Sequence, residues 1–295
     1  MILNVSGRTD IIAFYEKWFM NRLNAGFVDV RNPFNPKLVS RINFSDVDLI
    51  LFCTKNPIPI LNDLDKIKIP FIFHVTITPY KNDIEPNVIL KTEIINAVKK
   101  ISTIIGKDNI YIRYDPIFLS DKYNIDYHIK AFNKLCTLLK GYVNTIIVSF
   151  LDEYKNVLKN KNILKFRQFT ENEYKLIGEN FSNIARTNNM VVQTCFEDRN
   201  LTEYGFKKGE CLSHELAYKL TGKTYKSWKA RKERKCECVE MVDIGCYNSC
   251  KHFCKYCYAN YDEKMVNENF KNHDVNSSLL CGNLKKDDII KVRNK

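Results

Sequence analysis

The sequence predicts an α/β fold, and two patterns along its 295 residues support this class. Short runs rich in apolar and β-branched residues, such as 71–76 (FIFHVT) and 144–150 (NTIIVSF), alternate with amphipathic helical segments. Several of these runs are apolar without interruption, which is typical of parallel strands covered on both faces. Alternation over about seven units predicts a TIM-like (β/α) barrel or a partial barrel.

The elements follow one another without a Gly-, Ser- or Pro-rich linker. The predicted strands are 2–6, 47–53, 71–76, 109–114, 144–150, 190–195 and 239–244. The predicted helices are 11–25, 91–105, 127–140, 171–187 and 213–221. We expect Asp10 to cap the first helix, Gly26 to end it, and 27–46 to form an irregular excursion with a short hairpin. Residues 1–235 would form the barrel body, and 236–295 a C-terminal βα unit that completes the same domain.

Composition excludes several classes of protein. Apolar residues make up 45% of the chain and aromatic residues 12%, which is enough for a sizeable core and excludes wholesale disorder. No apolar run of about 18 residues is present, so we expect no membrane-spanning helix. The first residues show no basic-then-apolar leader, which predicts a cytoplasmic protein. The net charge of +12 favours polyanionic partners such as nucleic acid, although a Lys-, Asn- and Ile-rich codon bias explains it equally well.

Polar side chains collect just after the predicted strands, where a (β/α) barrel builds its active site. We take three of them as candidate catalytic residues, namely Lys55, Arg113 and Asp115. Three more are candidates for binding a cofactor, namely Ser6, Arg8 and Asp10. Loops are polar in any case, and Asp10 also fits the simpler role of a helix cap.

Eleven cysteines are the most informative feature, and six of them fall between 236 and 257. In a reducing compartment such a cluster indicates metal or iron–sulfur ligation rather than disulfides. Cys250, Cys254 and Cys257 have the spacing C-x3-C-x2-C. Three thiolates on a short loop can hold three irons of a cubane and leave the fourth without a protein ligand. A closed zinc site would need four ligands.

This spacing, with Tyr256 before the last cysteine, resembles the signature of the radical SAM superfamily. The segments SGRTDIIAFY, RNPFNP, CTKNPIP, RYDPIFL and CKHFCKYCYAN resemble a domain-of-unknown-function family that carries a radical-SAM-like cysteine cluster at its C terminus. That resemblance covers nearly all of 1–285. The short pairs TKNP and RYDP are distantly similar to spore photoproduct lyase-like proteins.

The resemblance implies an enzyme in which Cys250, Cys254 and Cys257 hold a [4Fe–4S] cluster that binds S-adenosylmethionine. Reductive cleavage of the sulfonium would give a 5′-deoxyadenosyl radical, with an external one-electron donor such as a flavodoxin or a ferredoxin. Tyr256 resembles the residue that contacts the adenine. Because the superfamily usually carries this motif near the start of its domain, the barrel would be circularly permuted, with strand 239–244 beside strand 2–6.

A second set of thiols could hold an auxiliary [4Fe–4S] cluster or a structural zinc. Its members are Cys195, Cys211, Cys236 and Cys238, with Cys246 as a substitute for one of them. The alternative function is therefore a non-catalytic, zinc-dependent nucleic-acid-binding protein. Segment 205–235 carries ten Lys or Arg against three Glu. This excess fits either a solvated face or contacts to the phosphates of a nucleic-acid substrate.

Overall fold

The structure is a computed structural model that describes residues 1–195, 197, 199–228 and 237–293. Its strands are β1 (Ile2–Asn4), β2 (Phe27–Arg31), β3 (Leu38–Asn43), β4 (Leu49–Thr54), β5 (Phe71–Thr76), β6 (Ile110–Ile117), β7 (Thr145–Phe150), β8 (Val191–Cys195), β9 (Lys207–Gly209), β10 (Met241–Asp243) and β11 (Ile289–Val292). Its helices are α1 (Ile11–Phe14), α2 (Glu16–Ala25), α3 (Lys91–Ile105), α4 (Ile125–Leu139), α5 (Lys155–Lys159), α6 (Lys161–Leu164), α7 (Glu171–Thr187), α8 (His214–Thr221) and α9 (Glu263–Lys271).

Eight of the described strands form one sheet in the order β10-β1-β4-β5-β6-β7-β8-β9. Every neighbouring pair in it is parallel. The α/β class is therefore confirmed. The C-terminal strand β10 pairs with β1, with Ile2 opposite Met241, which is the adjacency expected from the sequence. Within the described residues no pairing joins the edge strands β9 and β10, so a closed, permuted barrel stays a prediction.

Both faces of this sheet are buried, as the uninterrupted apolar runs predict. One face contributes residues such as Phe52 and Phe73 to the larger core, which also includes side chains of α1 to α4 and α7. The opposite face, with Leu51 and Ile72, packs against the region around α8, where Leu212 lies. Residues that alternate along a strand therefore lie in two different environments. The thiols of the C-x3-C-x2-C motif and the charged side chains around it lie at the carboxyl ends of these strands and in the segments that follow them, whereas Cys238 precedes β10 and His74 lies within β5.

The predicted helix 11–25 is interrupted at Tyr15, which ends α1 and precedes α2 with φ −136° and ψ 25°. The Tyr15 hydroxyl donates a hydrogen bond of 2.6 Å to the carbonyl of Ser249, close to the cysteine motif. Gly26 ends α2 in the left-handed conformation (φ 81°), as expected. The hairpin expected in 27–46 is formed by β2 and β3, and β11 pairs with β3 to complete a three-stranded sheet.

The helix that follows the cysteine motif begins later than the position near Tyr258 that the sequence suggested. Asp262 caps it by accepting hydrogen bonds from the backbone N–H groups of Lys264 (2.9 Å) and Met265 (3.1 Å), so α9 starts at Glu263. None of the helices in the described part of the chain combines the length and hydrophobicity needed to cross a membrane.

Candidate functional site

The cysteine loop, residues 247–260, follows β10 at the carboxyl end of the sheet and leads into α9. It carries three half-buried thiols, those of Cys250, Cys254 and Cys257. Asn248 and Phe253 adopt φ values of 52° and 54°, left-handed backbone that bends the loop. The βα context predicted for the motif is therefore present.

Asparagine side chains hold the backbone of this loop. Asn156 on α5 donates to the carbonyl of Cys257 (3.2 Å), and Asn160 at the end of α5 donates to the carbonyl of Lys255 (2.7 Å). From the other side, the Asn87 amide also donates to a loop carbonyl (2.8 Å). Because an asparagine amide carries two donor hydrogens, it can satisfy carbonyls that a tight loop leaves unpaired.

Burial raises the pKa of all three thiols in the loop, that of Cys254 to about 12. The carboxylate of Asp10 and the neighbouring thiols raise the pKa of Cys250 further. The backbone N–H of Ala259 donates to the Cys257 sulfur at 3.3 Å. A cation bound here would reverse these shifts, since metal ligation stabilises the thiolate form.

Asp10 lies at the centre of the contacts that join the loop to the sheet. Its carboxylate caps α1 by accepting from Ala13 (3.1 Å), and it accepts from the backbone N–H of Lys55 after β4 (2.7 Å). The same carboxylate lies 2.9 Å from His252 Nε2, and both side chains are buried. Asp10 is therefore the predicted helix cap and also positions the cysteine loop.

Glu85 gathers a second set of contacts beside the loop. Its buried carboxylate accepts from Lys55 Nζ (2.8 Å), from Thr78 (2.7 Å), from Lys91 and from the hydroxyl of Tyr256. The Lys55 ammonium also lies 5.5 Å from the centroid of the Tyr256 ring. Burial alone would raise the pKa of Glu85, but Lys55 and Lys91 hold it well below its usual range.

Arg8 and Ser6 connect β1 with its neighbours. Arg8 pairs with Asp243 on β10 (Nε to Oδ2, 2.7 Å), and Ser6 accepts from the backbone N–H of Ile11 (3.1 Å). A Cβ on Gly7 would lie 2.8 Å from the Asp243 carboxylate, so this close approach requires glycine. The predicted cofactor residues after β1 thus have structural partners within the described chain.

The second thiol group converges although its members lie far apart in sequence. The Cys195, Cys211 and Cys238 sulfurs all lie within 4.8 Å of one another, so this group could hold a metal ion. The Cys195 and Cys211 sulfurs are 2.7 Å apart, and the backbone N–H of Cys211 donates to Cys238 Sγ at 3.2 Å. Hydrogen bonds from the other two thiols, aided by the nearby Arg113, lower the pKa of Cys211. Cys236, the fourth predicted member, lies outside the described residues, and Cys246 interacts with Cys281 instead.

Arg113 and Asp115 belong to this second group rather than to the cysteine loop. Arg113 donates through Nε to Asp115 (2.9 Å) and through Nη1 to the Cys211 sulfur (3.1 Å). Ser149 on β7 lies 3.5 Å from the same Asp115 carboxylate. Of the three predicted catalytic residues, only Lys55 is therefore in contact with the network that surrounds the loop.

Sequence reasoning missed Glu85, Lys91 and His74. Glu85 lies in the loop that follows β5, and Lys91 is the first residue of α3. The one feature of the sequence that could have pointed to them is the presence of charged residues after a buried strand. His74 lies within β5 and is fully buried. The basic residues 229–235, part of the stretch linked to nucleic acid, lie outside the described residues.

One family model matches the sequence over residues 2–259, that of the domain of unknown function DUF1848. The chain belongs to this family. No curated protein matches it. Among solved structures, the EAL domain of Xanthomonas citri FimX, crystallised with c-diGMP, is similar at a TM-score of 0.22 and 9% identity, covering 65% of this chain and 89% of that one.

Proposed function

We propose that this DUF1848 chain is a radical SAM enzyme whose cluster ligands are Cys250, Cys254 and Cys257. The observation that carries the proposal is the position of these thiols, half-buried on one loop at the carboxyl end of β10. In α/β folds this edge of a parallel sheet is where ligands bind. The spacing of the thiols and the βα context of the loop add support.

The donor set fits a cluster better than a single ion. In the described residues, the three loop thiols form no group whose ligand atoms lie within 4.8 Å, in contrast to the second thiol group. Thiolates that bind different irons of a cubane need not converge on one point. When bound, such a cluster supplies the electron that cleaves the sulfonium of S-adenosylmethionine to a 5′-deoxyadenosyl radical.

The charged side chains next to the loop suit this role. Lys55 and Lys91 share the single buried carboxylate of Glu85, so these three side chains together carry one surplus positive charge. Lys55 lies close enough to Cys254 for a thiolate there to raise the pKa of the ammonium. The surplus charge would offset the negative charge of bound thiolates and attract the carboxylate of the cofactor. The Tyr256 hydroxyl donates to Glu85, and this hydrogen bond would hold the ring for the predicted contact with the adenine.

Arg113 and Asp115 are separate from that network, and we assign them to the substrate. The substrate would be nucleic acid or a small molecule, and an external flavodoxin or ferredoxin would supply electrons. The second candidate function, a zinc-dependent nucleic-acid-binding protein, is favoured by the compact Cys195, Cys211 and Cys238 group. Zinc without iron in anaerobically purified protein would support it against the enzyme.

Anaerobic reconstitution tests the enzyme. We expect brown protein that dithionite bleaches and that releases 5′-deoxyadenosine from S-adenosylmethionine, measured by chromatography. Replacing Cys250, Cys254 and Cys257 together by Ala should abolish this product. Cys136→Ala is the matched control, because Cys136 is a fully buried thiol of α4 in the main core. Undiminished product from the triple variant, with the control also active, would contradict the assignment.

A further inference from the structure

Three segments that are distant in sequence bring thiols together beneath the end of β8. Cys195 ends β8, Cys211 follows β9, and Cys238 precedes β10. Their sulfurs lie within 4.8 Å of one another. Sixteen residues separate Cys195 from Cys211, and 27 separate Cys211 from Cys238. Such convergence in three half-buried or buried side chains calls for a cause beyond local chain geometry.

The spacing of the sulfurs distinguishes one ion from a cubane. Around a tetrahedral zinc ion with Zn–S bonds of about 2.3 Å, the sulfurs lie about 3.8 Å apart. The three sulfurs lie within 4.8 Å of one another, and the 2.7 Å between the sulfurs of Cys195 and Cys211 would lengthen by about 1 Å to accommodate an ion. In a cubane each thiolate binds a different iron, so a group this compact favours a single ion.

His74 is an unsatisfied donor near this group. It is fully buried on β5, and neither ring nitrogen has a hydrogen-bond partner among the described residues. Leaving such groups unpaired in the interior is unfavourable, because water no longer hydrogen-bonds them. His74 is in register with Tyr111 of β6, and Arg113 lies two residues further along that strand, so the imidazole and Arg113 lie on the same face of the sheet. Arg113 contacts the Cys211 sulfur at 3.1 Å, which places His74 on the face that carries the thiols.

We propose that Cys195, Cys211 and Cys238 bind a single Zn²⁺ ion and that His74 supplies the fourth ligand. Three thiolates and one imidazole form one of the closed donor sets of structural zinc sites. The His74 nitrogens do not belong to the group of ligand atoms that lie within 4.8 Å of one another. Binding of the ion would therefore require a change of the His74 side-chain rotamer. Arg113, which donates to Cys211 at 3.1 Å, would provide the outer hydrogen bond that orients a ligand.

The site would fasten the segment after β8 onto the sheet. Cys211 and Cys238 flank α8, whose Ala217 is buried against the same face as Ile72 of β5. An ion bound by Cys195, Cys211 and Cys238 would therefore link both ends of the segment that contains α8 to the end of β8. The zinc proposal does not rest on the radical SAM assignment, because the two metal sites share no ligand and have only Arg113, outside both ligand sets, in common.

Metal analysis of the full-length protein, purified anaerobically, tests the site. We expect about one zinc per chain, in addition to any iron. Cys195→Ser, Cys211→Ser and Cys238→Ser should each lose this zinc to a chelator. In cobalt-substituted protein, the thiolate-to-cobalt charge-transfer absorption should fall by about a third in each variant, since one of three thiolates is removed. His74→Ala should keep that absorption, alter the ligand-field bands and weaken metal retention at least tenfold.

Two controls separate this site from its neighbours. Cys53→Ala removes the thiol opposite His74 in the β4–β5 register and should leave zinc unchanged. Replacing Cys250, Cys254 and Cys257 by Ala should remove iron but not zinc. The iron content therefore tests the radical SAM proposal, and the zinc content tests this one. Iron in place of zinc at Cys195, Cys211 and Cys238, or a Cys195–Cys211 disulfide in metal-free protein, would overturn the proposal. Metal loss in Cys236→Ser but not in His74→Ala would overturn the assignment of the fourth ligand.

Discussion

At the scale of single residues, Glu85 is the most consequential side chain that the motif did not reveal. Its side chain is 1% exposed and faces ammonium groups from Lys55 and Lys91. Lys55 lies 30 residues away and Tyr256 lies 171 away, so no local pattern in the sequence could have connected them. Tertiary structure alone brings these charges together, which explains why Lys55 and Tyr256 were predicted but their shared partner was not.

Glu85→Gln tests the strength of this network. Removing the buried carboxylate leaves two partly exposed cations without their counter-charge, and we expect a loss of unfolding free energy towards the lower end of the about 3–5 kcal/mol typical of a broken buried pair. Because the pKa of Glu85 is lowered in the folded chain, its contribution is present above the ordinary Glu pKa of about 4.3 and is lost as the pH falls through the lower folded value. Urea unfolding at several pH values should show this loss in the wild type but not in the variant.

The matched control is Glu263→Gln. Glu263 also pairs with a lysine of the cysteine loop, Lys255 (3.0 Å), but its side chain is 67% exposed. We expect a loss of less than about 1 kcal/mol there, because exposed ion pairs contribute little. Equal losses in the two variants would show that the Glu85 pair is no stronger than a surface ion pair.

At the scale of elements, the short helix α5 holds the cysteine loop through Asn156 and Asn160. If the loop binds a cluster, Asn156→Ala and Asn160→Ala should speed iron loss to a chelator on the order of tenfold, as expected for outer-shell contacts. Asn162→Ala, on an exposed position of α6, is the control and should not change the rate. Unchanged rates in all three variants would show that the loop holds its ligands without α5.

Elements with strong periodicity were predictable, and those without it were not. The predicted bounds of α3, α7 and β5 match the structure, because apolar spacing alone identifies them. By contrast, β9 (Lys207–Gly209) contains no apolar side chain, and its pairing with β8 could not be foreseen. Tyr15, where α1 ends and α2 follows, likewise donates a hydrogen bond to a residue 234 positions away. The loop thiols were found by spacing, whereas their supporting contacts needed the fold.

At the scale of the whole molecule, the net charge of +12 leaves the substrate class open between nucleic acid and a small molecule. If phosphates are bound, the logarithm of the affinity for DNA or RNA should fall linearly with the logarithm of salt concentration, by about 0.9 per neutralised phosphate for duplex DNA. Replacing the basic residues of the 229–235 segment by Gln should flatten that slope; they are Lys229, Arg231, Lys232, Arg234 and Lys235. Fluorescence anisotropy of labelled DNA or RNA over a series of salt concentrations measures this slope.

A charge-matched variant shows whether position matters rather than total charge. It replaces five exposed lysines on or near α3 and α4 by Gln, namely Lys100, Lys107, Lys130, Lys134 and Lys140. We expect this variant to keep more of the salt dependence than the 229–235 variant, because side chains that contact phosphates release counterions whereas other charges add only a screened attraction. Nucleic acid should also stimulate 5′-deoxyadenosine release if it is the substrate. A shallow slope that neither variant changes, without stimulation, would indicate a small-molecule substrate, because the charge would then have no specific partner.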